Sequence, residues 1–434
     1  MREKMYDLIG VGIGPFNLGL AALLDPVKEI DSLFFEKKEK FDWHPGMLIE
    51  GTRLQVPFMA DLVTMADPTN PYSYLNYLKH HNRLYNFYFL QRLEMPRNEY
   101  NHYCQWAADL LESCQFGTNV TAVVPVGSPI THYEISVNQS GEEKKYFAKN
   151  IILGVGTVPS LPSSLQGMSE HDVFHSSTFL DHVERCKEAK SITVIGSGQS
   201  SAEIFRELLK ERNDHGYSLN WITRSQGFFP MEETRLSLEH FSPEYVDYFY
   251  DLPQNQKDDI FSGQQLLYKG ISPHTITDIY NLLYEQSVGG KQMDVMLMPL
   301  TEINGLKEKE DGSGYELECR QWQKNRNFLI ESEVIVAGTG YRPLIPECLN
   351  DLKDFIEWDE KGRYHVSKDF RLTLNQESSS NIFVHSGMQH THGVGSTNLG
   401  LAVNRNKIII NELAGKAIYP ILEGNIFQQF EFKE

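Results

Sequence analysis

Two stretches of the chain share one pattern: an apolar run, a cluster of glycines and small residues, then a helix-like segment. The first runs from Tyr6 to Leu24 and the second from Ser191 to Leu209. Uninterrupted apolar runs that pass directly into helical periodicity mark parallel strands buried on both faces, so the pattern predicts an α/β fold. Between the two lie an aromatic, Pro- and Asn-rich segment from Phe41 to Tyr77, a helical stretch around Glu99 to Glu112, and a β-rich stretch from Val120 to Gly156. Two more apolar strands, Glu333 to Ala337 and Asn381 to Val384, each run into glycine. They predict that the chain returns to its first domain after visiting a second. The expected division is residues 1–165 with 331–434 as one discontinuous domain, and 166–330 as the other, which also carries a helical substrate-contacting segment. No solenoid-period repeat or low-complexity tract is visible.

The glycines of the first unit, Gly10, Gly12 and Gly14, stand where a strand turns into a helix, so that backbone N–H groups and the positive helix end can face a pyrophosphate. Pro15 takes the place of the usual third glycine. It suits the first helical turn, where its missing N–H costs nothing. The next strand, Ile30 to Phe35, ends in Glu36, about twenty residues beyond the last glycine, the distance at which an acid accepts hydrogen bonds from a ribose. The second unit repeats the logic with Gly196, Gly198 and small Ser201. After its next strand, Leu219 to Thr223, the corresponding position holds Arg224 followed by Ser225. A cation and a hydroxyl there suit a ribose 2′-phosphate, which favours NADPH over NADH. Two such sites could serve two nicotinamides, but flavin plus nicotinamide makes better chemistry, since one supplies hydride and the other accepts it and handles oxygen. By elimination the first site takes FAD. The expected architecture is therefore two Rossmann-like dinucleotide-binding domains, for FAD and NADPH, with a small substrate-binding region.

Composition narrows this picture. At 434 residues and a formal net charge of −18, the chain can bury two or three cores and is ill suited to nucleic acid or an anionic membrane surface. Cys104, Cys114, Cys186, Cys319 and Cys348 are widely spaced, with no C-x-x-C pair for a disulfide reductase and no disulfide framework. A cytoplasmic protein without secretion signal or membrane span is expected. His390 and His392 form an H-x-H, but no acid or cysteine lies near them in sequence, and no metal site is expected.

Gly10 to Leu18, Phe41 to Met47, Asp67 to Ser73, Gly196 to Glu203, Gly338 to Tyr341 and Thr391 to Gly393 together resemble the siderophore N-hydroxylating monooxygenases, the microbial lysine, ornithine and diamine hydroxylases. The resemblance runs to about Asn406. It implies a tightly held FAD, NADPH as reductant, and an oxygenated flavin that passes one atom of O2 to a terminal amine; a homo-oligomer, dimer or tetramer, is common among such proteins. Carried over by position, it assigns Gly10, Gly12, Gly14 and Pro15 to the FAD pyrophosphate and Glu36 to its ribose. It sets Trp43, His44 and Gln55 along the flavin, with the backbone of Thr397, Asn398 and Leu399 closing over the ring. Gln199, Ser200, Ser201 and Arg224 would hold NADPH. No side chain is singled out as an acid, base or nucleophile, because the substrate nitrogen is the nucleophile and the cofactor carries the hard step.

Two departures bear on the substrate. The ornithine and lysine hydroxylases carry a lysine where this chain has Ala60, and a serine where it has Gly400. Without those groups a buried carboxylate lacks a charge-assisted partner, which points to a diamine such as putrescine or cadaverine. The competing reading is an ornithine or lysine enzyme whose substrate carboxylate is held by Lys269 or Arg235. A sulfur- or carbon-oxygenating flavin monooxygenase and a nucleotide-sensing protein without turnover share the two glycine turns.

Overall fold

The computed structural model describes residues 4–432. The first glycine turn follows the strand Met5–Val11, whose last four residues are all buried. That strand lies at the centre of a seven-stranded sheet. On one side it pairs in parallel with Ser32–Phe35, and beyond that lies Cys114–Gln115. On the other it pairs in parallel with Glu142–Leu153. The first half of this long strand continues into an antiparallel meander with His132–Gln139 and Thr118–Val126. Its buried end instead pairs with Ile382–Val384, so the late strand from Asn381 does return to the first sheet, as its pattern predicts.

The second sheet has five strands, all parallel, in the order Val173–His175, Val334–Ala337, Ser191–Ile195, Ser218–Ile222, Val295–Met298. Its first glycine-following helix, Gln199–His215, buries Ile204, Phe205, Leu208 and Leu209 and ends at Gly216, whose φ of 76° forms the left-handed cap. A three-stranded antiparallel sheet, Thr301–Glu308, Tyr315–Gln321 and Arg326–Ser332, is inserted before the chain re-enters.

This topology corrects the expected domain division. The strand Val334–Ala337 is central to the second sheet, not part of the first domain. The chain leaves and returns through Thr157–Pro159 and Tyr341–Pro343, which pair with each other antiparallel, so the crossings lie there and not near 165 and 331. An apolar strand ending in glycine fits either sheet; the antiparallel insertion delivers it between Val173–His175 and Ser191–Ile195.

Four helices, Arg235–Leu238, Pro243–Asp251, Gln254–Gly263 and Pro273–Gln286, extend from the second unit. Tyr245 and Phe249 among them pack with Val394 of the first unit, so this segment bridges the two. The salt bridge Arg97 Nη1–Glu203 Oε2, at 2.7 Å and with Glu203 buried, ties the units at a second place.

Candidate functional site

At the first turn Gly10 and Gly12 are required by close approach. A Cβ on Gly10 would stand 2.1 Å from the Phe34 ring, and one on Gly12, at φ 85°, would stand 2.7 Å from the Gly154 carbonyl oxygen. The helix Pro15–Leu24 has Gly14 as its N-cap, Pro15 at its start, no side-chain cap and no acid in its first turn. Its first N–H groups are thus left open, as an anion site requires. Asn17 Nδ2 donates to the Gly12 carbonyl oxygen at 2.7 Å, while its buried Oδ1 finds no donor among the described residues. Glu36 lies across the turn, its Oε2 accepting from Ile13 N–H at 2.9 Å. An open helix end, a carboxylate at the strand end and a backbone cradle with no room for side chains fit the diphosphate and ribose of a dinucleotide such as FAD.

Beyond this turn the aromatic segment is pinned by Asn101, whose Oδ1 accepts from Trp43 N–H at 2.8 Å. Trp43 and His44 meet edge to face at 4.9 Å, and His44 in turn meets Tyr341 at 5.5 Å. Gln55 is exposed on the short strand Arg53–Pro57. That strand runs into a turn in which Ala60 N–H donates to the Pro57 carbonyl oxygen at 2.9 Å. Ala60 is buried, and a Cβ on Gly400 would stand 3.5 Å from the Ala60 Cβ. The two positions where this chain departs from the ornithine and lysine pattern therefore face each other. Gly400 belongs to the first turn of the helix Leu399–Ala414, capped by Asn398, whose Oδ1 accepts from Leu401 N–H at 3.1 Å. Thr397, Asn398 and Leu399 lead into that helix end.

The second turn is built alike. Gly196, at φ 126°, would place a Cβ 2.3 Å from the Gly338 carbonyl oxygen. Ser201 donates there at 3.1 Å and to the Ile195 carbonyl oxygen at 3.2 Å, locking helix to sheet. Gly198 is the N-cap of Gln199–His215, again without side-chain cap or first-turn acid, and Ser200 sits half-buried in that turn. These features fit a second dinucleotide. Gln199, however, is fully engaged within the protein. Its Nε2 donates to Glu203 Oε1 at 2.7 Å and to Thr275 Oγ1 at 3.0 Å, and its Oε1 accepts from Ser272 N–H at 2.7 Å. Arg224 is exposed at the strand end, and Ser225 Oγ lies 2.8 Å from Ser197 Oγ.

The backbone of Lys269 runs beside the second glycine turn, its carbonyl oxygen 3.7 Å from the Cβ position of Gly198. Arg235 is exposed beside Glu233, Thr234 and Leu236, along an open cavity of about 510 Å³. His390 and His392 are occupied otherwise: His390 Nε2 lies 3.1 Å from the Tyr364 carbonyl oxygen, and His392 Nδ1 lies 2.8 Å from Thr391 Oγ1. Asn17, Asn101, Gly154 and the Arg97–Glu203 pair were not singled out by sequence. Only Asn17, in the first turn after Gly14, carried a local signal.

The family description L-lysine 6-monooxygenase/L-ornithine 5-monooxygenase matches residues 4–343. The chain belongs to this family. A putrescine N-hydroxylase from Acinetobacter baumannii is 39% identical over 428 residues, covering 99% of this chain and 94% of that protein. Among solved structures, the FAD-bound cadaverine monooxygenase of Erwinia amylovora is 40% identical with a TM-score of 0.95, covering 100% of both chains. The ornithine N-hydroxylase of Kutzneria sp. 744, solved with reduced FAD, NADP+ and L-ornithine, is 29% identical with a TM-score of 0.88, covering 95% of this chain and 99% of that one. Within the family, then, this chain shares more identity with these diamine hydroxylases than with that ornithine enzyme.

Proposed function

We propose that this monooxygenase hydroxylates one amino group of a diamine, putrescine or cadaverine, using FAD, NADPH and O2, in the assembly of a hydroxamate siderophore. The observation that carries the substrate is the apposition of Ala60 and Gly400. A carboxylate brought to this spot meets a methyl group and a bare backbone, and an unpartnered buried carboxylate is costly. The putrescine and cadaverine hydroxylases among its relatives support the same reading.

Bound FAD, reduced by NADPH, supplies the oxygen transfer. The chain supplies position and dryness. The open end of Pro15–Leu24 and the cradle at Gly12 would hold the FAD diphosphate, Glu36 its ribose, and Trp43, His44 and Gln55 would lie along the flavin. The backbone of Thr397, Asn398 and Leu399 would close the flavin site. The turn at Gly196–Gly198 and Arg224 would hold NADPH. An alkyl ammonium with a pKa near ~10.4 must lose its proton before its nitrogen can attack, and a substrate site kept dry between the two units would favour the neutral amine. The aromatic surface of Leu84–Leu90, with Tyr85, Tyr88 and Phe89 exposed, supports self-association into a homo-oligomer. The absence of any helix long and apolar enough to span a membrane among the described residues is compatible with work in the cytoplasm.

The deciding experiment measures hydroxylamine product with putrescine, cadaverine, ornithine and lysine under identical conditions. Diamines should give the higher kcat/KM. Equal efficiency with ornithine or lysine would refute the diamine assignment, and NADPH oxidation yielding only hydrogen peroxide with every amine would refute N-hydroxylation.

A further inference from the structure

Lys269 and Arg224 lie far apart in sequence, yet the fold lays their segments side by side. Ile271 N–H donates to the Phe229 carbonyl oxygen at 3.0 Å, and Met231 N–H to the Ile271 carbonyl oxygen at 2.7 Å. Gly270 between them admits no side chain, since a Cβ there would stand 2.4 Å from the Met231 backbone. Ser272 N–H then donates to Gln199 Oε1, which fastens the same segment to the helix that starts the nucleotide turn. On the opposite side, Ser225 Oγ reaches Ser197 Oγ and Trp322 Nε1 donates to the Arg224 carbonyl oxygen at 2.9 Å. Both residues thus flank one glycine turn, held by backbone contacts, and both are exposed overall although the Lys269 ammonium is partly desolvated.

Neither charge is neutralised. Among the described residues no ion pair involves Lys269 or Arg224; the Lys269 ammonium lies over the face of Tyr268 at 5.3 Å. Burial, and next the Arg224 guanidinium, lower the Lys269 pKa, as expected of like charges held together. Two unpaired cations beside an anion-binding helix end are unfavourable until a multivalent anion joins them.

We propose that Lys269 and Arg224 form a two-cation receptor for the 2′-phosphate of NADP(H), so that Lys269 determines nicotinamide choice and takes no part in binding the amine. This rests on reading the second turn as the NADPH site. It also makes the segment 269–275 part of the nucleotide site, although the sequence reading places it in the substrate-contacting helical segment.

The test uses FAD-loaded protein and isothermal titration with NADP+, NAD+, 2′,5′-ADP and 5′-AMP. Lys269→Met should weaken NADP+ and 2′,5′-ADP by about tenfold or more, leave NAD+ and 5′-AMP within about twofold, and be rescued by Lys269→Arg. Lys269 is exposed, so circular dichroism and Tm should match the unmodified protein. Equal losses for NADP+ and NAD+ would overturn the proposal by placing Lys269 on a group both share, and an unchanged NADP+ affinity would overturn it directly. If the unmodified protein itself binds NAD+ as tightly as NADP+, the NADPH reading of the second site fails first. A preference that survives Lys269→Met removes the role of Lys269 alone.

Discussion

On the proposed reading, replacing Ala60 with lysine gives the site the arrangement of the amino-acid hydroxylases, and Coulomb's law sets the size of the effect. Ala60 is buried against the first turn of Leu399–Ala414, with the Gly400 Cβ position 3.5 Å away, so a lysine there would carry its ammonium toward the end of the substrate that the proposed function places at these two residues. The substrate's far ammonium, at about 5 Å and an effective dielectric near ~20, would then be repelled by roughly 3 kcal/mol. Since ~1.4 kcal/mol is tenfold, kcat/KM for putrescine and cadaverine should fall about a hundredfold. Ornithine and lysine should gain, because a charge-assisted bond to their carboxylate contributes about 1.5–3 kcal/mol. Gly400→Ser is a gentler companion. Its Cβ would stand 3.2 Å from Asn398 Oδ1, so a small shift of that cap accommodates it, and together with Ala60→Lys it should recover more amino-acid turnover than either change alone. The assay is hydroxylamine formation across the four amines, with FAD content checked for each variant. Unchanged diamine kinetics in FAD-replete Ala60→Lys would show that the far ammonium lies elsewhere, and the substrate argument would collapse.

Three further expectations follow from the same geometry. Gly12→Ala puts a Cβ 2.7 Å from the Gly154 carbonyl oxygen at a φ of 85°, so the purified protein should retain little flavin, measured by visible absorbance; full flavin content would contradict the cradle. Arg97→Met leaves Glu203 buried without its 2.7 Å partner and should lower stability by about 3 kcal/mol in chemical denaturation, with a smaller loss when Glu203→Gln is added. His392 is almost fully buried, and burial first, then the Arg405 charge, pushes its pKa from 6.5 down to about 3. Its folded pKa lies below the unfolded one, so its share of stability is present above pH 6.5 and lost as pH falls toward 3. This amounts to about 2 kcal/mol between about pH 7 and pH 5. His392→Phe, which keeps a ring stacked on Phe370, should flatten that slope by about one proton, and an unaltered slope would show that His392 is not the group being titrated.

What could be read before the structure divides by range. The two glycine turns and Glu36 were legible because strand, turn and helix follow one another directly, and each element constrains the next within a few residues. Val334–Ala337 was assigned to the wrong sheet because its apolar pattern says that it is buried but not beside which strand; that is decided by the antiparallel insertion preceding it. The place of the segment around Lys269 was not legible for the same reason, since it depends on hydrogen bonds of Ile271 and Ser272 with Phe229, Met231 and Gln199 that no local pattern encodes. Ala60 and Gly400 show the opposite case. In sequence they are two separate absences, each open to compensation by some other residue; in space they are one absence, because the missing lysine and the missing serine would have converged on the same point. A carboxylate receptor displaced elsewhere would have to reach that point from another element. The Lys269 backbone stands beside Gly198 at the second glycine turn. If its ammonium serves the nucleotide, as proposed above, one of the two cations open to an amino-acid substrate is committed elsewhere, and Arg235 is the other to test by substitution.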